Sequence, residues 1–417
     1  MPPLSRSARV TIVVCAFLGW AAAGSIMALM PLAGRSIAES FVGKQSGLIN
    51  TWFGRYICAF LLGAACGGIL FGWIGDRIGR AKAMGWSILC FSLFTGVTYF
   101  ATDPWQVLVL RFVACLGVGG MWPNGVALAS EAWSNVSRPF LAGLIGTSAN
   151  LGFVLMSVVS GTVGLTVDNW RWIMLVGAVP ALLGVFSLCC VAESPMWKAS
   201  QQGKAASDKE GRKATLGEVF RPPLLQYTII GILLGAVPLL GNWGGANWLV
   251  PWANEVQDKS SIQELKSWTQ GMKSAGGAIG AFLGGWIASM VGRRTTYFVM
   301  SLLALLASGY IYWFLTPLSP SFLPWVFVIG FFGTIFFGWL PLYLPELFPT
   351  RVRATGTGAA FNLGRVITAF GVLGKASLLS HFGGDYGQAG RVTSLVFIIG
   401  MIVILFAPDT SKMKIDR

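Results

Sequence analysis

The sequence predicts an all-α integral membrane protein, with twelve transmembrane helices in two pseudo-symmetric six-helix halves. Three observations carry that prediction. The first is composition: 54% of the 417 residues are hydrophobic and only 11% are charged, with a mean hydropathy of +0.67. A soluble domain carries about 25% charged residues, so most of this chain belongs in lipid. The second is an internal repeat. The run G-W-I-G-D-R-I-G-R-A-K from Gly72 to Lys82 returns as G-W-I-A-S-M-V-G-R-R from Gly285 to Arg294, displaced by 213 residues. Small residues precede each copy, at Ala64, Gly68 and Gly72 and again at Gly277, Ala281 and Gly285. A repeat at about half the chain length marks two homologous halves.

The third observation is where the charge lies. Lys and Arg number 30 against 16 Asp and Glu. Of these cations, 19 fall in segments on the side of the N-terminus, 6 in the opposite loops and 5 inside helices. This positive-inside bias predicts that both termini are cytoplasmic, in the inner or plasma membrane of the cell. The basic balance is therefore topological, and nucleic acid is excluded as a partner. The expected partners are a lipid bilayer and a small-molecule substrate, and the chain is expected to work as a monomer.

Apolar runs of roughly 20 residues, the length that crosses a bilayer, are predicted at 10–32, 48–73, 81–102, 105–131, 139–165, 171–191, 224–252, 267–291, 295–315, 322–345, 354–379 and 391–408. The first lacks a small-residue cleavage site downstream and is read as a helix rather than a signal peptide. Residues 1–197 form the first half, the polar and charged segment 198–223 a cytoplasmic linker, and 224–417 the second half. All seven cysteines (Cys15, Cys58, Cys66, Cys90, Cys115, Cys189 and Cys190) fall within spans, without C-x-x-C spacing, and His381 is the single histidine. Neither a disulfide framework nor a metal or other cofactor is expected.

In the second helix Arg55 lies about 25 Å from Gly72 along the helix, near the outer boundary. The hairpin follows, with Asp76 placed to cap the third helix, Gly79 to permit the turn, and Arg77, Arg80 and Lys82 at the headgroups. The fourth helix holds Arg111, read as snorkelling to the outer face. It exits at Glu131, with Arg138 seven residues on, and the spacing recurs at Glu346 and Arg353. These carboxylate–guanidinium corners, with Glu193 closing the sixth helix, are expected to latch one half against the other and to break as the bundle rocks. The seventh helix carries G-N-W-G-G-A-N-W, whose Trp243 and Asn247 are costly against lipid and should face protein or a wet cavity. Arg365 lies about 16 Å from Ala354 and shares a face with Asn362, while Lys273 lies about 18 Å from Gly285. No Asp or Glu sits in the middle of any span.

The hairpin G-W-I-G-D-R-I-G-R, the fourth-helix run R-F-V-A-C-L-G-V-G-G-M-W-P, E-S-P-M-W, P-E-L-F-P-T-R-V-R-A-T-G and P-D-T-S-K together resemble the major facilitator superfamily over nearly the whole chain. W-R-W, V-G-A-V-P-A-L-L and G-R-V on the eleventh helix are most similar to bacterial symporters of aromatic acids, sialate and lactate. The E-S-P-M-W and P-E-L-F-P corners are similar to the sugar-porter branch. The resemblance implies alternating access around a substrate held near the midplane. Those symporters carry acidic residues on helix one in a G-W-x-x-D-x-x-D pattern, where this chain has Ala23 and Ile26. Uniport or anion exchange is therefore expected rather than obligatory proton symport.

A cation at bilayer depth without an acidic partner on a helix points to the ligand as its partner. The leading expectation is a transporter of a small organic anion, bound by Arg365 and Lys273 with Asn362, Asn247, Trp243 and Arg55 around it. Arg365→Ala is expected to abolish binding and Lys273→Ala to weaken it less. The alternatives are a neutral or sugar-like solute held by Asn247 and Asn362 and stacked on Trp243, or a transporter-like membrane sensor. No Ser/His/Asp or Cys/His cluster supports an enzyme.

Overall fold

In lipid every backbone N–H and C=O must be paired within the chain, so long apolar runs close into helices. The computed structural model describes residues 4–133, 138–194, 197–198, 216–257, 260, 262, 264–349 and 352–410. Among them twelve helices are long and apolar enough to cross a membrane. The first half comprises α1 (Arg6–Val42), α2 (Ser46–Ile78), α3 (Arg80–Phe100), α4 (Pro104–Ala132), α5 (Arg138–Val163) and α6 (Arg171–Cys190). The second comprises α7 (Leu225–Glu255), α8 (Leu265–Val291), α9 (Arg293–Phe314), α10 (Phe322–Glu346), α11 (Arg353–His381) and α12 (Tyr386–Phe406). Most of the linker expected over 198–223 lies outside the described residues.

Each expected span is found, and α1 is the largest departure. It runs ten residues beyond the expected end at 32, because Pro31 is carried inside the helix instead of ending it. The repeated hairpins turn at equivalent glycines, Gly79 with φ +108° and Gly292 with φ +100°. A side chain is disfavoured in that region of backbone space.

Across the boundary between halves, α2 packs on α11 and α5 on α8. Gly68 faces Asn362 and Gly277 faces Asn150 across these seams, while Ala64 and Ala281 let the backbones of α4 and α10 approach within each half. Each half has its own apolar core, but the first also takes in Trp243 and Trp248 of α7, Val372 of α11 and Tyr386 of α12. The second half therefore reaches into the first on the face opposite the termini.

On the face that bears the termini, the polar clusters stay within one half. Glu131 pairs with Arg80 and accepts from the Ser194 hydroxyl. Glu346 pairs with Arg293 at 3.0 Å and accepts from the Thr410 hydroxyl. This corrects the expected Glu346–Arg353 corner: Arg353 Nε donates to the Phe348 carbonyl at 3.3 Å instead. The hairpin arginine, distant in sequence but adjacent across the helix ends, reaches the carboxylate first. The Arg138 side chain lies outside the described residues. Capping of α3 also differs from expectation, since the Glu193 carboxylate accepts from the backbone N–H of Arg80 and Ala81, both at 3.0 Å. A carboxylate there satisfies orphan donors and complements the helix dipole. Arg77 lies over the Trp73 ring at 4.0 Å, and Trp197 Nε1 donates to the Asp76 carbonyl at 3.2 Å.

Candidate functional site

The site is organised by a break in α7. After Leu239 the helix widens into a π segment at Leu240–Gly245 and tightens into a 3₁₀ turn at Ala246–Trp248. Gly241, Gly244 and Gly245 have low helix propensity, and Pro238 and Pro251 flank the stretch. Backbone groups freed by such a break need partners within the protein. The Tyr312 hydroxyl supplies one, donating to the Gly245 carbonyl at 3.2 Å. The break aims Trp243 and Asn247 inward, and both are buried.

A small cavity of about 40 Å³ opens beside it. Asn242, Trp243 and Asn247 of α7 form one wall, and Gln270, Lys273 and Ser274 of α8 a second. Thr334 of α10 and, from the first half, Asn150 and Phe153 of α5 complete it. Both halves thus contribute, and no carboxylate lines the cavity among the described residues. Lys273 is 6% exposed and donates to Asn247 Oδ1. Gln270 Nε2 donates to Ser274 Oγ at 2.8 Å, while Gln270 Oε1 is buried without a partner. The Trp243 ring packs tilted against Phe60 and Phe153, with centroids 4.5 Å and 6.3 Å away. Gly277 leaves room for two polar side chains here: a Cβ would lie 2.8 Å from Asn150 Oδ1 and 2.9 Å from Thr334 Oγ1, and both would have to shift.

Of the residues singled out from sequence, Lys273, Asn247 and Trp243 meet in this cavity. Arg365 and Asn362 do not line it. Arg365 is 9% exposed in the α2–α11 seam, where its Nη1 donates to the Ala64 carbonyl at 3.1 Å and to Asn362 Oδ1 at 3.3 Å. Depth along α11 was legible, but the direction of the face was not, and the small residues of α2 draw the guanidinium into the seam. Arg55 is held between the Trp52 and Trp105 rings, at 4.6 and 5.5 Å, away from the cavity.

Two further cations stand out. Arg111 does not snorkel: it is 3% exposed, donates to the Ile26 carbonyl at 2.9 Å and faces the Phe60 ring. Lys375 of α11, 2% exposed, bonds Thr393 Oγ1 at 3.2 Å beneath Trp248 and Tyr312. Lys273 and Lys375 both lie against the 3₁₀ turn of α7, Lys273 at Asn247 and Lys375 at the Trp248 ring. Lys375 gave the same signal in the sequence as Arg365, a cation inside an apolar span, but no motif surrounds it.

On the face opposite the termini, Arg35 of α1 crosses to the second half. It pairs with Glu255 of α7 at 3.4 Å and donates to Asn50 Oδ1 at 2.9 Å and to the Tyr386 hydroxyl of α12 at 2.5 Å. Lys266 Nζ donates to the Leu165 carbonyl at 2.6 Å, and the Ser160 and Ser267 hydroxyls bond at 3.0 Å. Ions and hydroxyls from both halves thus close that face over the cavity.

Known proteins resemble the chain at every level. A cis,cis-muconate transport protein of Acinetobacter baylyi is 27% identical over 351 residues, covering 84% of this chain and 83% of that protein. A sialic acid transporter of Escherichia coli is 26% identical over 346 residues, covering 81% and 80%. In three dimensions the xylose transporter from E. coli, in a partially occluded inward-open form, superposes with a TM-score of 0.74 at 19% identity, covering 98% of this chain and 100% of that one. The family profile described as Major Facilitator Superfamily matches residues 12–372, and the chain, a multi-pass membrane transporter, belongs to that family.

Proposed function

We infer that the protein moves a small organic anion across the membrane by alternating access, with both termini in the cytoplasm. The observation that carries this reading is Lys273: a buried cation that, among the described residues, bonds the neutral Asn247 in a cavity without a carboxylate. A charge at that depth is expensive unless paired, and a substrate carboxylate supplies the pair. The muconate and sialic acid relatives give the reading outside support. In this account Lys273 makes the first contact with the anion. Arg365 and Asn362 act at the seam, trading the Ala64 carbonyl for other partners as the halves move. The clusters of Arg80, Glu131 and Glu193 and of Arg293 and Glu346 brace each half, with Asp76, Arg77, Arg138 and Arg353 at the same helix ends. With Ala23 and Ile26 at those positions, the middle of α1 has no proton-carrying acid, so the mode is uniport or anion exchange. Uphill accumulation driven by a pH gradient alone in liposomes would refute that mode.

The test is ligand-induced stabilisation, because a ligand that binds only the folded state raises its unfolding temperature. Carboxylates should stabilise the purified parent protein, and Lys273→Gln should lose the effect. Stabilisation by neutral sugars alone would favour the second reading, which the four amides in the cavity wall support. Orientation has its own test: a cysteine at Ala205 should be labelled from the cytoplasm and one at Asp258 from outside.

A further inference from the structure

The cavity wall carries more information than the sign of the substrate. Its polar groups are one ammonium (Lys273), four amides (Asn150, Asn242, Asn247 and Gln270) and two hydroxyls (Ser274 and Thr334). The apolar share is a Trp243 ring on one side and Phe153 on another. A dicarboxylate would bring a second charge with no second cation lining the cavity among the described residues: Arg365 is engaged at the α2–α11 seam, Arg111 is bonded to the Ile26 carbonyl, and Lys375 lies beneath Trp248. A flat, unsubstituted aromatic acid would satisfy Lys273 but strand the amides. Gln270 Oε1 is already buried without a partner, and a stranded polar group costs its full desolvation. Neutral sugars fail in the opposite way, since they leave the ammonium without an anion.

We propose that the substrate is a hydroxylated monocarboxylic acid, of the aldonate or uronate kind. Its one carboxylate displaces Asn247 Oδ1 from Lys273. Its hydroxyls bridge the amides: they donate to Gln270 Oε1 and Asn150 Oδ1 and accept from the side-chain N–H groups across the cavity. The less polar face of the carbon skeleton lies on the Trp243 ring. Amides suit this role because each offers both a donor and an acceptor, as hydroxyl groups require. The free volume of about 40 Å³ is well below the range for ligand cavities, so the walls must part to admit the acid. This inference rests on the anion reading of the same site.

The experiment uses the full-length protein in liposomes, with a panel of aldonates and uronates set against glucose, cis,cis-muconate and benzoate. Each is scored by its competition for uptake and by stabilisation of the purified protein. The best hydroxylated acid should outcompete glucose, muconate and benzoate by at least about tenfold, since sites built to bond hydroxyls reject analogues without them. Lys273→Gln should erase the preference for the acid over glucose. Gln270→Leu, which keeps the volume and removes the amide, should weaken the hydroxylated acid at least about tenfold and leave benzoate unchanged. Benzoate or muconate binding as well as the best hydroxylated acid would overturn this inference and leave the anion reading standing. Glucose binding best, or none of the probes binding, would overturn both.

Discussion

The two faces of the bundle handle charge in opposite ways. On the face opposite the termini, Arg171 and Arg391 bond carbonyls of their own half, but the ion pair crosses between halves: Arg35 of α1 meets Glu255 of α7 and Tyr386 of α12, and Lys266 of α8 meets the Leu165 carbonyl. On the terminal face the strong pairs, Arg80–Glu131 and Arg293–Glu346, each stay inside one half. The difference separates two jobs. Contacts within a half persist whichever way the bundle rocks, and they keep the half rigid. Contacts between halves exist in one state only, so they set how readily the closed face opens.

Breaking a contact within a half should therefore cost stability, and the largest loss belongs to the most buried pair. The side chains of Arg293 and Glu346 are 14% and 4% exposed. Glu346→Gln removes the buried carboxylate that Arg293 meets at 3.0 Å, and should lower the unfolding temperature markedly. Glu131→Gln should lower it less, because Arg80 and Glu131 are 27% and 16% exposed. Equal stability of Glu346→Gln and the parent would contradict the bracing role.

Breaking a contact between halves should instead shift the conformational equilibrium. Arg35→Ala or Glu255→Gln should favour opening opposite the termini by about 1 kcal/mol, given that Glu255 is about one-third exposed. A cysteine at Ser267 should then react faster with an impermeant maleimide added from that side. The reversed pair, Arg35→Glu with Glu255→Arg, should recover part of the closure. Unchanged reactivity in both single variants would remove Arg35–Glu255 from the gate. Ser160→Ala should act in the same direction but more weakly, since one neutral hydrogen bond contributes about 0.5–1.5 kcal/mol.

This contrast marks what the sequence could reveal. Spans, hairpins and small-residue seams were legible because lipid, turn geometry and close backbone approach each demand a residue type at a spacing. Gly79 and Gly292 are examples. Partners of charges were not legible in the same way. Glu131 has Arg138 seven residues on in the sequence, yet in space it meets Arg80 of the preceding hairpin. Arg365 was expected in the cavity from its depth and occupies the seam, because depth fixes height and not direction. The break in α7 was visible only as an odd run of Gly, Asn and Trp. What it positions depends on α5, α8 and α10, which no local pattern brings together.

Arg55→Ala should have the smallest effect, because its ring contacts with Trp52 and Trp105 contribute about 0.5–1 kcal/mol and lie away from the cavity. A large loss of substrate affinity there would return Arg55 to the site.

The central claim is that Lys273 is the counter-ion of the substrate. Its most direct test is calorimetric binding of one stabilising carboxylate to the parent, Lys273→Gln and Arg365→Gln. Removing the partner of a buried anion costs about 2–5 kcal/mol, so Lys273→Gln should weaken binding by roughly 30-fold or more, at 1.4 kcal/mol per tenfold. Arg365→Gln should weaken it less. Lys273→Gln binding the carboxylate as tightly as the parent would contradict the account.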